Sequence, residues 1–314
     1  MEREGMLPLV AKEYADWCQV WAPAKVNLYL RVVGKRPDGF HELATYMLPI
    51  PLYDVVLARP ADRIFLQCDD PTLPIDSGNL VWKAAGLLAS RHAPGRGAEL
   101  ELRKRIPHQA GLGGGSSDAA ATLVCLNYLW KLNLEPEALK ALALELGSDV
   151  PFFLGDGPAW CGGRGEVLTP VAPAFGIHLV VVKPGEGLGT REIFQRLGAG
   201  NLPSPSEKLA GAGEKADQAF QNALKQTVSA LGKTLANDLE VPSCQLLPSL
   251  EQIRGELLAA GVSGVVMTGS GSAMVALAAD ASKAVSVAQR LKTARTPSGP
   301  VAVYVACSAA GECP

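Results

Sequence analysis

Residues 106–121 read IPHQAGLGGGSSDAAA, with four glycines in the five positions 111–115. Glycine permits positive φ angles and a close approach of the backbone to a ligand, and the Ser-Ser-Asp that follows is typical of a helix start. The first turn of a helix has N–H groups without intrahelical partners and a partial positive charge. A glycine loop that runs into such a turn is typical of a phosphate site. This stretch therefore predicts that the protein binds a nucleotide.

The loop does not match the two commoner phosphate-binding patterns. A Walker A loop has Gly, four residues and then Gly-Lys-Ser/Thr, and no lysine occupies that position here. The dinucleotide fingerprint G-x-G-x-x-G fails at Ser116, and no acidic ribose partner is evident about 20 residues further on. A flexible glycine turn is the alternative interpretation. The strand pattern at 99–102 and the helix predicted over 116–129 favour an anion site.

Length and composition indicate an ordinary globular chain of about two domains. The sequence has 314 residues, and domains typically have ~100–200 residues. The net charge of −2 provides no basic footprint, so we expect no nucleic-acid partner. The cluster Arg103-Lys104-Arg105 is either a solvated strand end or a group that attracts phosphate. No window approaches the ~18 apolar residues of a membrane span, so we expect no membrane association.

The cysteines and the N-terminus indicate a cytoplasmic location. The seven cysteines include no C-x-x-C pair and are odd in number, which suits a reducing compartment better than a disulfide framework. The first 20 residues lack the features of a secretory signal or a transit peptide. The four histidines are too scattered to suggest a metal cage.

Hydrophobic periodicity predicts a mixture of helices and strands without a regular parallel repeat. The predicted strands include 20–33, 55–58, 64–68, 99–106, 177–182, 274–278 and 301–305. The predicted helices are 79–90, 116–129, 136–146, 217–230, 248–260 and 281–293. Residues 197–216 are small and polar and read as a flexible loop. The fold class is therefore α+β, with domains over 1–172 and 173–314.

Three segments taken together resemble the motifs of one superfamily. They are PAKVNL at 23–28, the glycine loop, and TGSGS at 268–272. Their order and spacing resemble the GHMP kinases (galactokinase, homoserine kinase, mevalonate kinase and phosphomevalonate kinase). More narrowly, APAKVNLYLRVVGKRPDGFHEL at 22–43 and GSDVPFFLGDGPAWCGGRGE at 147–166 resemble the family of 4-diphosphocytidyl-2-C-methyl-D-erythritol kinases.

The resemblance covers residues 21–305 and implies both a fold and a reaction. The implied fold has an N-terminal ATP-binding domain, a C-terminal substrate-binding domain and an active site in the cleft between them. The implied reaction transfers the γ-phosphoryl group of ATP to a methylerythritol hydroxyl of a cytidine diphosphate conjugate, in the non-mevalonate isoprenoid pathway. Mg²⁺ is expected with the phosphates, and Ser117 is a possible hydroxyl ligand. The residues implied to bind ATP are Pro107, His108, Gln109, Ala110, Gly111, Leu112, Gly113, Gly114, Gly115, Ser116 and Ser117.

Lys25 and Asp149 match the catalytic pair of the family. A carboxylate within hydrogen-bond reach can accept the proton of an attacking alcohol, and a compact cation can offset charge in the transition state. Without the resemblance, Asp149 reads better as the cap of a short helix at 150–154. Lys25 reads as a solvated strand position, with Asn27 on the same face.

Four further residues match substrate-binding positions of the family. Phe40 and His41 match positions that hold the cytosine, although a tyrosine is common where Phe40 stands. A core position is the alternative for Phe40. Phe194 is expected to close the other side of the base, and Asn27 to contact substrate near Lys25. No catalytic residue is assigned within 268–272.

Two other functions remain open at this point. A homoserine or mevalonate kinase shares the superfamily motifs, although GFHEL and GSDVPFF speak against it. A nucleotide-binding regulator without catalysis is the second alternative, since a fold does not guarantee a function; the presence of Lys25 and Asp149 speaks against it.

Overall fold

A computed structural model describes residues 9–14, 16–198, 212–297 and 299–308. The chain packs into two compact units, one formed by the residues up to 24, 52–107 and 113–157, the other by 25–51, 108–112 and the residues from 158 on. Two long strands contribute residues to both units. The division by packing thus differs from the expected boundary between 172 and 173, and the assignment of ATP and substrate to separate halves stays a prediction.

Strands and helices alternate irregularly along the chain. The strands are β1 (Val10–Glu13), β2 (Cys18–Lys35), β3 (His41–Ala61), β4 (Phe65–Cys68), β5 (Gly97–Arg103), β6 (Ala159–Gly162), β7 (Val167–Pro170), β8 (His178–Lys183), β9 (Ala236–Asn237), β10 (Gly264–Met267), β11 (Met274–Ala278), β12 (Arg295–Thr296), β13 (Gly299–Pro300) and β14 (Ala302–Cys307). The helices are α1 (Leu80–His92), α2 (Gly114–Leu129), α3 (Pro136–Leu146), α4 (Thr190–Gly198), α5 (Ala212–Ala223), α6 (Val228–Gly232), α7 (Glu240–Leu246), α8 (Ser249–Ala259) and α9 (Ala281–Leu291), with a 3₁₀ helix at Pro151–Leu154.

The sheet of the first unit has the strand order β1-β2-β3-β5-β4, with parts of β2 and β3. Helices α1, α2 and α3 pack against one another, and α1 contacts β4. Alternate β5 residues Ala98, Leu100 and Leu102 are buried, because successive side chains of a strand point to opposite faces. Helix α2 is buried on most of its surface. Its three alanines allow this, since small side chains let neighbouring elements pack close to a helix backbone. Packing therefore holds the helix that follows the glycine loop inside a core.

The second unit contains an antiparallel sheet in the order β10-β11-β8-β14. Val182 of β8 lies between Met274 of β11 and Val303 of β14. Helices α8 and α9 pack on β10, β11, β8 and β14 and bury a continuous apolar core. In the same unit, β9 pairs in parallel with the second half of β2, and β6 pairs with the first half of β3.

The structure corrects the predicted helix over 217–230. Two helices, α5 and α6, occupy this region. The chain breaks between them because the Thr227 side chain accepts a hydrogen bond from the Ala230 N–H and caps a new helix. Asp217, expected as an N-cap, lies inside α5 instead. Most of the expected loop at 197–216 lies outside the described residues.

No helix in the described part of the chain is long and apolar enough to cross a membrane.

Candidate functional site

Glycine is required at two positions of the loop. Gly111 and Gly113 have φ angles of +73° and +71°, a region that residues with a Cβ avoid. A Cβ at Gly111 would also lie 2.0 Å from the carbonyl oxygen of Thr268. The loop therefore takes a conformation that no other residue type at position 111 can adopt without moving the backbone.

Helix α2 begins two residues earlier than the sequence pattern predicts. Its N-cap is Gly113, which makes no side-chain cap bond, and the Ser117 N–H donates to the Gly113 carbonyl at 2.9 Å. Ser116 and Ser117 therefore belong to the first turn and do not cap the helix. The N–H groups of Gly114, Gly115 and Ser116 precede this first intrahelical bond and have no partner within the helix, so the turn provides donors for an anion.

The Ser117 hydroxyl adds a polar group to the same turn. Ser117 is fully buried, and its Oγ has no hydrogen-bond partner among the residues that the structure describes. Buried hydroxyls normally have a partner. An unpartnered oxygen beside an anion-binding turn fits a donor to phosphate or a ligand to a hard cation.

Lys25 is buried, which corrects its interpretation as a solvated strand residue. Lys25 and Asn27 are 3% and 2% exposed and lie on one face of β2, because residues two apart in a strand point the same way. The Lys25 Nζ donates to the Asn27 Oδ1 at 2.6 Å. The Lys25 backbone N–H donates to the Leu112 carbonyl at 2.9 Å. Strand β2 is therefore hydrogen-bonded to the glycine loop at the residue that carries the candidate catalytic ammonium.

Two threonines complete the surroundings of Asn27. The Asn27 Nδ2 donates to Thr45 Oγ1 at 2.8 Å, and its backbone N–H donates to Thr268 Oγ1 at 2.9 Å. Thr268 Oγ1 in turn donates to the Gly111 carbonyl at 3.1 Å. The second glycine turn therefore orients both Asn27 and the loop. Thr45 was not predicted from the sequence, and nothing in the sequence around it distinguishes it from other strand threonines.

Asp149 lies in the first unit, directly before the 3₁₀ helix, and is half-buried. The N-cap of that helix is Val150, without a side-chain cap bond. Val150, and not Asp149, therefore occupies the N-cap position of this helix. Its pairing with Lys25, a residue of the second unit, stays a prediction.

Phe40 does not occupy the core position that was its alternative interpretation, since it is 50% exposed. The Arg164 guanidinium carbon lies 4.5 Å from the centroid of its ring, a cation–π contact. Arg164 was not predicted from the sequence. An exposed aromatic ring held in place by a cation is suited to stack on a base.

His41 and Phe194 are brought together, with ring centroids 4.9 Å apart. Burial, together with the charge of Lys35, lowers the pKa of His41, so the ring stays neutral near pH 7. Its Nε2 is buried and has no hydrogen-bond partner within the described ranges. A neutral imidazole with an unpartnered nitrogen can read the edge of a base.

Among the described residues, no group of three or more His, Cys, Asp or Glu side chains could hold a metal ion.

Both family models of the GHMP kinases match this chain. Residues 79–157 match the GHMP kinases N terminal domain, and residues 219–295 match the GHMP kinases C terminal family. The resemblance inferred from the motifs is confirmed, and so is the two-domain α+β fold class.

Two proteins with sequences similar to this chain have the same name. A 4-diphosphocytidyl-2-C-methyl-D-erythritol kinase of Pelotomaculum thermopropionicum is 42% identical over 86% of this chain and 92% of its own length. A kinase of the same name from Synechococcus sp. is 40% identical over 85% of this chain and 87% of its own length.

Solved structures agree with these relatives. A 4-(cytidine 5'-diphospho)-2C-methyl-D-erythritol kinase crystal structure has a TM-score of 0.73 at 35% identity and covers 93% of this chain and 99% of its own. A homoserine kinase from Cytophaga hutchinsonii has a TM-score of 0.74 at 21% identity, over 94% of this chain and 96% of its own. At that identity the likeness shows the fold alone.

Proposed function

The chain belongs to the GHMP kinase family, and from this premise we propose that it phosphorylates the methylerythritol hydroxyl of 4-diphosphocytidyl-2-C-methyl-D-erythritol with ATP. The observation that carries the proposal is the left-handed Gly113 at the mouth of α2, directly before a first turn whose buried Ser117 hydroxyl has no partner in the described part of the chain. Relatives of that name at about 40% identity support the choice of acceptor.

In this proposal the ATP phosphates bind to the glycine loop and the first turn of α2. Backbone N–H groups there donate to phosphate oxygens, and the partial positive charge of the helix end favours the anion. Phosphoryl transfer depends chiefly on positioning and charge stabilisation. A loop whose glycines accept φ angles near +70° can turn its N–H groups toward the phosphates, which suits that requirement.

Asp149 is proposed to accept the proton of the attacking hydroxyl, and Lys25 to orient the acceptor and offset negative charge. A carboxylate serves as a general base when it lies within hydrogen-bond reach of the alcohol. The support for Lys25 is its burial and its bond to Asn27. A buried ammonium is held in one place and is poorly screened by water.

Mg²⁺ fits the residues at the mouth of α2. The buried Ser117 Oγ is a hard oxygen ligand without a protein partner in the described residues, and Mg²⁺ at phosphate sites usually keeps few protein ligands. When bound, the ion would neutralise charge on the phosphates. Ser117 would hold it, while the N–H groups of the first turn orient the phosphates.

Phe40 and His41 are proposed to bind the cytosine, and Asn27 to contact the acceptor. The exposed ring of Phe40 offers a face for stacking, worth about 1–3 kcal/mol. The neutral His41 ring offers a nitrogen to the edge of the base. Phe194 already contacts His41, so it is proposed to support the imidazole and border the base.

We also propose that the protein works in the cytoplasm on small molecules only. Cys18, Cys68, Cys125 and Cys244 are free thiols, and free thiols persist in a reducing compartment.

Incubation with ATP and the cytidyl conjugate tests the proposed reaction. Mass spectrometry is expected to find the conjugate one phosphoryl group heavier, with an equal amount of ADP. Homoserine and mevalonate serve as competing acceptors. Phosphorylation of either one in preference to the conjugate would overturn the proposed substrate, and ATP binding without any transfer would indicate a regulator.

The Asp149→Asn variant tests the proposed base, because it keeps the shape of the side chain and removes a proton acceptor. We expect kcat to fall by about 10²–10⁴-fold, with ATP affinity retained. A wild-type kcat with normal KM would exclude the role.

A further inference from the structure

A buried cluster of charges adjoins both ends of the glycine loop within the first unit. It consists of Asp54 on β3, Lys104 after β5 and Asp118 in α2, hereafter the loop-end cluster. Asp54 and Asp118 are 0% and 2% exposed, and the Lys104 side chain is 8% exposed. Lys104 therefore points inward, whereas the neighbouring Arg105 side chain is 70% exposed. The basic cluster at 103–105 therefore contains both a buried lysine, Lys104, and an exposed arginine, Arg105.

Lys104 joins the two carboxylates. Its Nζ donates to Asp54 Oδ2 and, at 2.7 Å, to Asp118 Oδ2. A buried ammonium needs such partners, because an unpaired charge in a core is costly. The lysine thus bonds strand β3 to the first turns of helix α2.

The Asp54 carboxylate also binds the backbone directly before the glycine loop. Its Oδ1 accepts hydrogen bonds from the N–H groups of Arg105, at 2.5 Å, and Ile106, at 2.8 Å. These two residues directly precede the loop. A Cβ placed on Gly114, the first residue of α2, would lie 3.4 Å from Asp54 Oδ2. One carboxylate therefore accepts hydrogen bonds from the chain before the loop and lies near the helix start after it.

The charges of the cluster do not balance. One ammonium faces two carboxylates, and Asp118 Oδ1 is buried without a hydrogen-bond partner among the described residues. Asp54 is the member of the cluster that accepts the backbone bonds.

We infer that Asp54 is a positioning residue for ATP, which acts by fixing the distance between the two ends of the phosphate loop. Lys104 and Asp118 hold its carboxylate in place. Groups that bind a transferred phosphate must be placed within fractions of an ångström to be effective. The inference deepens the proposed function, since it concerns the same nucleotide site, yet it requires only that the loop bind ATP.

Asp54→Asn tests this inference because an amide has one oxygen. That oxygen can accept from the backbone N–H groups or from Lys104, but the NH₂ group then faces a donor on the other side. We expect the dissociation constant of a non-hydrolysable ATP analogue, measured by calorimetry, to rise about tenfold. The KM of the cytidyl conjugate is expected to stay within about twofold.

Two further variants separate positioning from a general loss of stability. Thr122→Val removes the buried bond from Thr122 Oγ1 to the Asp118 carbonyl, 2.7 Å long, one turn further along α2. It lowers stability without touching the loop ends, so affinity for the analogue should stay at the wild-type value. Asp118→Asn keeps an oxygen for Lys104 and should raise the dissociation constant less than threefold.

The inference is overturned if Asp54→Asn binds the analogue as the wild type does, or if Thr122→Val weakens binding as much. If Asp54→Asn does not fold, Asp118→Ala provides the test by hydrogen exchange. The amides of Arg105 and Ile106 should then exchange faster than in Thr122→Val, and equal rates would refute the inference. An enzyme that binds the analogue normally and transfers nothing to the conjugate contradicts the proposed function and leaves this inference intact.

Discussion

The Lys25 ammonium donates a 2.6 Å hydrogen bond to the Asn27 carboxamide oxygen, and both side chains are buried on one face of β2. A strand face with a lysine normally lies in water. Here the asparagine turns its amide nitrogen to Thr45 and its oxygen to the lysine, so the polar groups satisfy each other. The hydrogen bond to Asn27 holds the ammonium in a defined position on the buried face of the strand.

Replacement of Lys25 is expected to affect turnover more than nucleotide binding. Lys25→Met removes the charge and keeps most of the side-chain volume. We expect kcat to fall by about 10²–10³-fold, the usual loss when one group that stabilises a transition state is removed. The KM of ATP should change less than threefold. Steady-state kinetics with both substrates measures the two effects.

Lys183 provides the matched control for this variant. It is also a buried lysine of the second unit, 7% exposed, and its Nζ donates to the carbonyls of Pro184 and Glu186. Lys183→Met should lose stability and retain turnover within about threefold. Equal losses of kcat in the two variants would contradict a catalytic role of Lys25, because they would show that removal of either buried lysine lowers turnover through the fold.

Gly111→Ala should lower the stability of the protein by more than an alanine at a positive φ angle alone would. The added Cβ would meet the Thr268 carbonyl oxygen at 2.0 Å, so the loop or the 268–272 turn must move. Gly95→Ala is the control, because Gly95 has a φ of +83° but no atom within 4 Å of the added Cβ. Gly95→Ala should cost about 1–2 kcal/mol and leave ATP binding intact.

For Gly111→Ala we expect a larger loss of stability, in urea unfolding, and at least a tenfold weaker affinity for an ATP analogue. Similar unfolding free energies and similar affinities for the two alanine variants would contradict the close contact at Gly111.

Asp217 anchors helix α5 to strand β2 in the second unit. Its carboxylate accepts from the Tyr29 hydroxyl at 2.9 Å and from Arg31 Nε at 3.0 Å and Nη2 at 2.5 Å. Asp217→Asn loses one of the acceptors of the guanidinium and should lower the free energy of unfolding by about 1.5–3 kcal/mol. Asp280→Asn at the N-cap of α9 is the control and should cost almost nothing, because asparagine caps helices as well as aspartate does. Urea unfolding that shows equal losses would refute the anchor.

The His41 ring should titrate below the ordinary histidine range. Burial and then the charge of Lys35 lower its pKa, so the imidazole is neutral at pH 7 and gains a proton only as the pH falls below 6.5. Its contribution to stability is therefore present above pH 6.5 and is lost as the pH drops through the lowered pKa. NMR titration of the imidazole nitrogens, assigned with His41→Gln, measures this directly. A pKa at or above 6.5 would contradict the buried environment.

Several elements could be predicted from the sequence because local signals determine them. The helix 136–146 and the strand 274–278 have the predicted bounds. A proline at the first position and a glycine at the end mark the helix. The strand is an unbroken apolar run between turns. The glycine loop was also predicted correctly as the entry to a helix, since few other structures need four glycines in five residues.

Other features depend on contacts between residues far apart in the sequence. The start of α2 was predicted at Ser116 because serines favour N-caps, yet Gly113 takes that position. Asp217 was expected as a cap, yet it bonds Tyr29 and Arg31, which lie on a strand more than 180 residues earlier. A local sequence pattern cannot indicate a hydrogen-bond partner that lies so far away in the sequence.

The motifs in the sequence identified the family by resemblance, and local signals predicted most of the helices and strands and the glycine loop. The second result was possible because backbone sterics and hydrophobic periodicity act over a few residues. Only the tertiary structure decided which polar groups are buried and what they bond. Lys25 and Lys104 are ordinary lysines in the sequence. Packing buries Lys25 together with Asn27, its expected neighbour on the strand face, and places Lys104 between Asp54 and Asp118. A buried charge must find its partners wherever the fold brings them.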